Sequence, residues 1–301
     1  AITAWACTKA RAVIFVRMCR LLGYISTRND ITLRDAVGSA QLDEFKEISR
    51  IHNDGWGTSQ ISTTHRDAQV NDGGAPSPAA FENIYRTTEP AYLDHNFESL
   101  ASTPARSSIF HLRLASSNLP LIPENQQPFT ADGISFAHNG DISSEDGVNL
   151  VHNPDITVSP YEIAQTGGKS DSAIYFAHIL HFRNAGFALD KAVEHAIATL
   201  REQYANSSYN CLVQTQNQFI AVNATGHDRL ADRIAEVYDA YGQREKAADY
   251  RVIRYKQIDG GVVVASSGFE QKEDEGWEEL PVNHILVADV ATGAFEVRAL
   301  N

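Results

Sequence analysis

Apolar and polar positions alternate with a two-residue period in two stretches of the chain, residues 107–115 and 133–139, and that period predicts strands. In the first, Phe110, Leu112 and Leu114 share one face while His111 and Arg113 share the other. In the second, Ser135, Ala137 and Asn139 lie on one face, and Asn139-Gly140-Asp141 follows as a turn. Shorter apolar runs predict further strands at 19–24, 210–222, 250–258, 261–266, 285–289 and 294–298. Lys169-Ser170-Asp171-Ser172 opens a helix running to 182, with Ser and Asp suited to the cap and first turn. Leu189, Val193, Ile197 and Leu200 recur near helical spacing and predict a helix over 189–203. Residues 231–241 and the polar stretch 33–51 are also expected to be helical. His52-Asn53-Asp54-Gly55-Trp56-Gly57 reads as a loop, 71–78 as a turn-rich connector and 270–275 as a solvated charge run. Hairpins with helices between them predict α+β layers.

Composition narrows the functional classes. The 301 residues are enough for one large domain that buries about three quarters of its unfolded surface. A net charge of −13, from 38 acidic against 25 basic side chains, disfavours nucleic acid and anionic membranes as partners. A small molecule or another protein is the expected partner. Cys7, Cys19 and Cys211 are odd in number and lack Cys-x-x-Cys spacing, so no disulfide framework or zinc site is indicated. A reducing cytoplasm is the simplest location. His178, His181 and His195 lack a carboxylate at ligand spacing and read as core or surface histidines. No glycine-rich phosphate loop is present, no metal is implied and no cofactor is expected.

The single methionine, Met18, precedes Cys19. A chain beginning at Met18 and losing it would carry a thiol and a free α-amine on one residue. Their ordinary pKa values, about 8.5 and about 7.7–8.0, let each exchange a proton with the other near neutrality. Residues 1–17 contain only a short apolar run, 12–16, too short for a signal-peptide core or a membrane span. They are expected to be a propeptide or an upstream extension outside the mature protein, with 18–301 as a single domain.

Met18-Cys19-Arg20-Leu21-Leu22-Gly23-Tyr24, His52-Asn53-Asp54-Gly55-Trp56-Gly57, His111-Leu112-Arg113-Leu114-Ala115-Ser116, Ala137-His138-Asn139-Gly140 and Ser170-Asp171-Ser172-Ala173 occur in this order. Together they resemble the class II glutamine amidotransferases, in particular the small stand-alone members. The resemblance is clear from Met18 to about Leu180. It implies a four-layer α/β/β/α sandwich of the N-terminal nucleophile hydrolase type, two mainly antiparallel sheets between helical layers.

It also implies roles. Cys19 would be the nucleophile that forms a γ-glutamyl thioester from glutamine and releases ammonia, then glutamate, with its own α-amine handling the proton. Asn139 and the backbone N–H of Gly140 would stabilise the oxyanion. Arg113 would pair with the substrate α-carboxylate and Asp171 with its α-ammonium. Trp56, Gly57 and Ser116 would line the substrate site, with Asp54 shaping it. Taken singly, each residue has a plainer reading: Cys19 a small buried hydrophobe, Asn139-Gly140 a hairpin turn, Arg113 a surface strand residue, Asp171 a helix cap. Where the family continues after its arginine with threonine and glycine, this chain has Ser116-Ser117-Asn118.

Three functions fit. One is a glutaminase-type amidotransferase that hydrolyses glutamine or hands ammonia to a separate accepting protein. Another is a hydrolase of larger γ-glutamyl compounds, such as γ-glutamyl peptides or thiol-metabolite intermediates. The third is a catalytically silent glutamine-binding or interaction protein. A homodimer stays open in each case.

Overall fold

The computed structural model describes residues 19–63, 80–115, 119–226 and 232–300. The segment 1–17, Met18, the connector 71–78 and Ser116 lie outside the described residues. In chain order the strands are β1 (Arg20–Ser26), β2 (Trp56–Thr63), β3 (Ala80–Thr87), β4 (Ser107–Leu112), β5 (Phe129–Ala131), β6 (Ile134–Asn139), β7 (Asn210–Gln214), β8 (Gln218–Asn223), β9 (Ile253–Ile258), β10 (Gly261–Ser266), β11 (Trp277–Glu279), β12 (His284–Asp289) and β13 (Phe295–Ala299). The α-helices are α1 (Leu33–Val37), α2 (Ser39–Glu47), α3 (Asn96–Ala101), α4 (Pro160–Gln165), α5 (Asp171–Asn184), α6 (Leu189–Arg201) and α7 (Asp232–Ala240).

Two sheets result, ordered β11-β9-β10-β1-β4-β2-β3 and β13-β12-β8-β7-β6-β5. Every pairing is antiparallel. Strand alternation sends side chains to two faces of each sheet. Leu21, Ile25, Ile109, Val262 and Val264 of the first sheet meet Ala137, Leu212, Phe219, Ala221 and Leu286 of the second in a middle layer. On the far side of the first sheet, Leu22, Tyr24, Trp56, Phe110 and Leu112 pack with residues of α1, α2, α3 and α7. Behind the second sheet, Phe136, Cys211, Val213 and Val222 pack against α5 and α6. This is the four-layer α/β/β/α sandwich expected.

The sheets come close beside β1. Gly23 points into the middle layer, where an added Cβ would lie 2.8 Å from the Ser108 carbonyl, 3.0 Å from Leu212 and 3.1 Å from Phe219. Any side chain there would push the sheets apart.

Several expectations need correction. Residues 33–51 form α1 and α2 and a short 3₁₀ turn instead of one helix, because Gly38 at φ +101° breaks the path. The run 210–222 is a hairpin, β7 and β8, turning through the polar residues Thr215 to Asn217. Trp56 and Gly57, read as loop, begin β2. That strand and β3 escape apolar alternation because their inward face is polar: Ser59 bonds Glu82 at 2.7 Å and Ser135 at 2.8 Å, and Gln214 Nε2 donates to the Ser59 carbonyl at 2.9 Å.

Candidate active site

Cys19 leads into the central strand β1. Arg20 stands opposite Leu112, so the same register carried one residue back sets Cys19 opposite Arg113. By strand parity both side chains face the middle layer, and both are buried. The Cys19 thiol lies 3.9 Å from the Leu114 carbonyl. Beyond β4 the backbone is fastened to the 52–55 loop: Arg113 N–H donates to the Gly55 carbonyl at 2.9 Å, and Asp54 N–H to the Arg113 carbonyl at 3.1 Å. The Asp54 carboxylate accepts from Ala115 N–H at 2.8 Å. Gly55 is required at that turn, having φ +115° and the Thr87 carbonyl 2.3 Å from where a Cβ would be.

The second sheet supplies Asn139, at the end of β6 on the face that meets β1. It is fully buried, and neither atom of its side-chain amide has a hydrogen-bond partner among the described residues. An unpartnered buried amide is uncommon in a folded protein and marks a group kept for something else. Gly140 follows; a Cβ would lie 2.5 Å from the Ser208 carbonyl and 2.6 Å from His138 Nε2. Asp171 enters from the first turn of α5, where the Ser170 hydroxyl caps Ala173 N–H. Its carboxylate accepts from Ile142 N–H at 2.9 Å, Asn149 Nδ2 at 3.2 Å and Ser172 N–H at 2.9 Å.

Electrostatics tie these groups together. Burial pushes the Cys19 thiol up to about 11; Arg113 pulls it down, and Asp171 and Asp54 add to the rise. With Met18 joined to it, Cys19 therefore carries a neutral thiol at pH 7. Burial lowers the Arg113 guanidinium below its usual range, opposed by Cys19, Asp54 and Asp171, and its Nη1 has no hydrogen-bond partner among the described residues. Burial raises the Asp171 carboxyl, opposed by its three N–H donors.

Trp56 is placed elsewhere than expected. It pairs with Leu112 on the outward face of the first sheet, its indole among Phe97, Phe110 and Tyr85 and its Nε1–H donating to Asp94 at 3.0 Å. Its side chain braces the sheet and does not reach Cys19. Gly57 faces inward opposite His111, with the Gln127 carbonyl 2.3 Å from where a Cβ would be.

Both nearby histidines are neutral structural groups. Burial pushes His111 down to about 3, with Arg113 and His138 adding to the fall. His138 is lowered to about 4, again by burial. Its Nε2 lies 2.8 Å from the Ser208 carbonyl and must carry the proton, so Nδ1 accepts from the Ser172 hydroxyl at 2.9 Å. This ring links β6 to the turn that carries Asp171. Each histidine binds a proton on unfolding at 6.5 but not while folded, so its stabilisation is complete above that pH. It is lost as pH falls toward 4 for His138 and 3 for His111, at about 1.4 kcal/mol per pH unit each. Urea unfolding between pH 6.5 and 4.5 is expected to show this slope, shallower by one histidine's share in His111→Leu. An unchanged slope would contradict the buried, neutral state of His111.

Sequence reasoning missed a cluster behind Cys19. Arg20, fully buried, donates from Nη1 to the Cys19 carbonyl at 3.1 Å and the Tyr250 carbonyl at 3.4 Å, and from Nη2 to the Tyr238 hydroxyl. Its guanidinium lies 4.5 Å from the Tyr250 ring centroid and 5.7 Å from that of Tyr238. His52 Nε2 meets the Tyr238 hydroxyl at 3.2 Å. On the other side, Asn210, cross-strand from Asn139, donates to the Arg251 carbonyl at 3.1 Å. Residues 250 and 251 thus tie β1, which follows Cys19, to β7, the strand beside Asn139. The sequence signal was a charged residue inside the apolar run after Cys19.

No family model matches the sequence, and neither does any curated protein. Solved structures do. A glutamine aminotransferase class-II domain protein from Silicibacter pomeroyi is similar over 94% of this chain and 100% of its own, with TM-score 0.57 and 18% identity. Glutamine phosphoribosylpyrophosphate amidotransferase from B. subtilis is similar over 94% of this chain and 49% of its own, with TM-score 0.52 and 14% identity. This chain has the class II glutamine amidotransferase fold. It spans the whole of the first of these proteins and about half the length of the second. Within this amidotransferase fold, a cavity of about 620 Å³ lined by Leu189, Gln218 and Phe295 lies at the opposite end of the second sheet and takes no part in the site. No helix among the described residues is long and apolar enough to cross a membrane.

Proposed function

We propose that this chain hydrolyses the side-chain amide of glutamine, as a glutaminase-type amidotransferase whose nucleophile is Cys19. The observation that carries the reading is that Cys19, Arg113 and Asp171 bear on one another electrostatically while Asn139 ends β6 on the face turned toward β1. Two of the four, Arg113 and Asn139, bring buried polar atoms without partners among the described residues. A nucleophile, an anion receptor, a carboxylate and an amide donor are the parts that cleavage of an amino-acid amide needs.

The chemistry proceeds from those parts. With Cys19 as first residue, its α-amine takes the thiol proton as sulfur attacks the amide carbon. The oxyanion is received by the Asn139 side-chain N–H and the Gly140 backbone N–H. The carbon–nitrogen bond breaks, the amine passes its proton to the departing nitrogen, and ammonia leaves the γ-glutamyl thioester. Water then attacks the thioester, giving glutamate and the free thiol. Throughout, the Arg113 fork holds the substrate carboxylate and Asp171 its ammonium. The ammonia goes to water or to a separate accepting protein.

The test is turnover by the chain cut to begin at Cys19, which keeps every described element. Ammonia and glutamate should appear in equal amounts from glutamine, and glutamine should outcompete γ-glutamyl dipeptides. Faster release of amine from the dipeptides would move the assignment to the larger γ-glutamyl donors, and no turnover of either would sink it. Arg113→Lys is expected to raise KM for glutamine by about 10- to 100-fold with kcat changed little, because a point ammonium cannot reproduce the two-pronged contact. A fall in kcat at unchanged KM would contradict the role given to Arg113.

A further inference from the structure

Asp171 is served by a residue that none of the sequence motifs contains. Asn149 stands in the loop between β6 and α4, cross-bridged to Ser143. Its Oδ1 accepts from Val151 N–H at 3.0 Å, which settles which end of the amide is which. Nδ2 therefore faces two carboxylates, Asp141 Oδ1 at 3.1 Å and Asp171 Oδ2 at 3.2 Å. Both of its hydrogens are used. Asp141 is the residue after Gly140, and its other oxygen accepts from the Ser143 hydroxyl at 2.5 Å. One amide nitrogen thus joins the turn after Asn139 to the carboxylate at the head of α5.

Resting on the reading above, in which Asp171 receives the substrate ammonium, we propose that Asn149 is a positioning residue for substrate binding. Its Nδ2 fixes the orientation of the Asp171 carboxylate against the turn 139–141. Oδ2 is taken up by Ile142 N–H and Asn149 while Oδ1 accepts from Ser172 N–H, so Oδ1 is the less occupied oxygen and the one to receive an ammonium. The groups that bear on Asp171 are Arg113 from the end of β4, Cys19 from the head of β1, Asp141 from the turn after β6, and His138 through Ser172. Asn149 is the donor that removes no charge from this set when replaced, so its effect can be isolated.

The sign follows from burial. The carboxylate is already raised by burial, and the Asn149 donor holds it down. Loss of that donor raises it further, so binding that needs the ionised form fails at a higher pH. Removing the neighbouring charge in Asp141→Asn works in the opposite direction.

The experiment measures kcat and KM for glutamine from pH 4.5 to 8 in the chain beginning at Cys19. Asn149→Leu is expected to raise KM about tenfold with kcat within twofold, and to move the acid limb of kcat/KM up by about one pH unit. Asp141→Asn should move that limb down. Asn149→Asp, of equal volume and with an acceptor in place of the donor, gives the same reading with a larger KM effect should the leucine variant not fold. An unchanged KM and acid limb in the Asn149 variants would overturn the inference. Asp171→Asn separates the two levels: if it raises KM while the Asn149 variants do not, only the role of Asn149 falls. If Asp171→Asn leaves KM unchanged, the reading of Asp171 itself falls.

Discussion

Cys19→Ala is expected to reduce glutamine hydrolysis by about 10⁴-fold or more and to abolish the γ-glutamyl thioester, while Cys211→Ala leaves both intact. Loss of a covalent nucleophile removes a whole route, which is why such effects exceed those of any single hydrogen bond. The two thiols differ in surroundings. Cys19 faces the middle layer with Arg113, Asp54 and Asp171 around it. Cys211 lies behind the second sheet, 3.6 Å from the Tyr175 hydroxyl, where burial pushes it up to about 12. Among the described residues the one hydrogen bond that Cys19→Ala gives up is a long S–H···O approach at 3.9 Å, so the variant should fold. Mass spectrometry of acid-quenched enzyme with glutamine reads the thioester directly. Retention of near-normal turnover in Cys19→Ala would refute the proposed chemistry.

The second large effect is expected at Asn139. Asn139→Ala should lower kcat about 10²- to 10³-fold with KM changed by less than about threefold, the pattern of a donor aimed at charge that exists only in the transition state. The structure makes this a clean variant. Neither amide atom has a partner to lose among the described residues, and the backbone carbonyl keeps its bond from the Ser208 hydroxyl at 3.1 Å. Single-turnover kinetics checks it, since the defect must fall on thioester formation. A kcat within threefold of the parent would show that Asn139 is merely a buried turn residue.

What the sequence disclosed and what it hid have a common physical basis. Sidedness was legible from the two-residue period, which set Arg113 on the face opposite Phe110 and Leu112 and Asn139 on the face of Ala137; that these faces turn inward was not, because both faces of the first sheet are buried. The start of α5 was legible because Ser170 and Asp171 suit a helix cap. β2 and β3 were not, since Ser59 and Glu82 form a polar seam between the sheets and erase the alternation. Trp56 was misplaced for the same reason, its register against Leu112 being invisible without β2. Pairings over long separations were hidden too. Arg20 meets residues 218 and 230 positions away, and nothing local to Asn149 announces that it serves a carboxylate 22 positions on.

Cys19 has an arginine on either side, and their company differs. Arg113 sits among groups whose charge changes: Cys19, Asp54 and Asp171 all bear on it. Arg20 is held by two carbonyls, a phenol and aromatic faces. Its hold on the Cys19 carbonyl involves no carboxylate among the described residues and is shielded from counterions by burial, so it should be indifferent to salt. The place of the sulfur and its readiness are thereby set by different cations. One behaves as a fixed pin and the other as a gauge of the charge around it, so a change of charge beside Arg113 should leave the Cys19 backbone where it is.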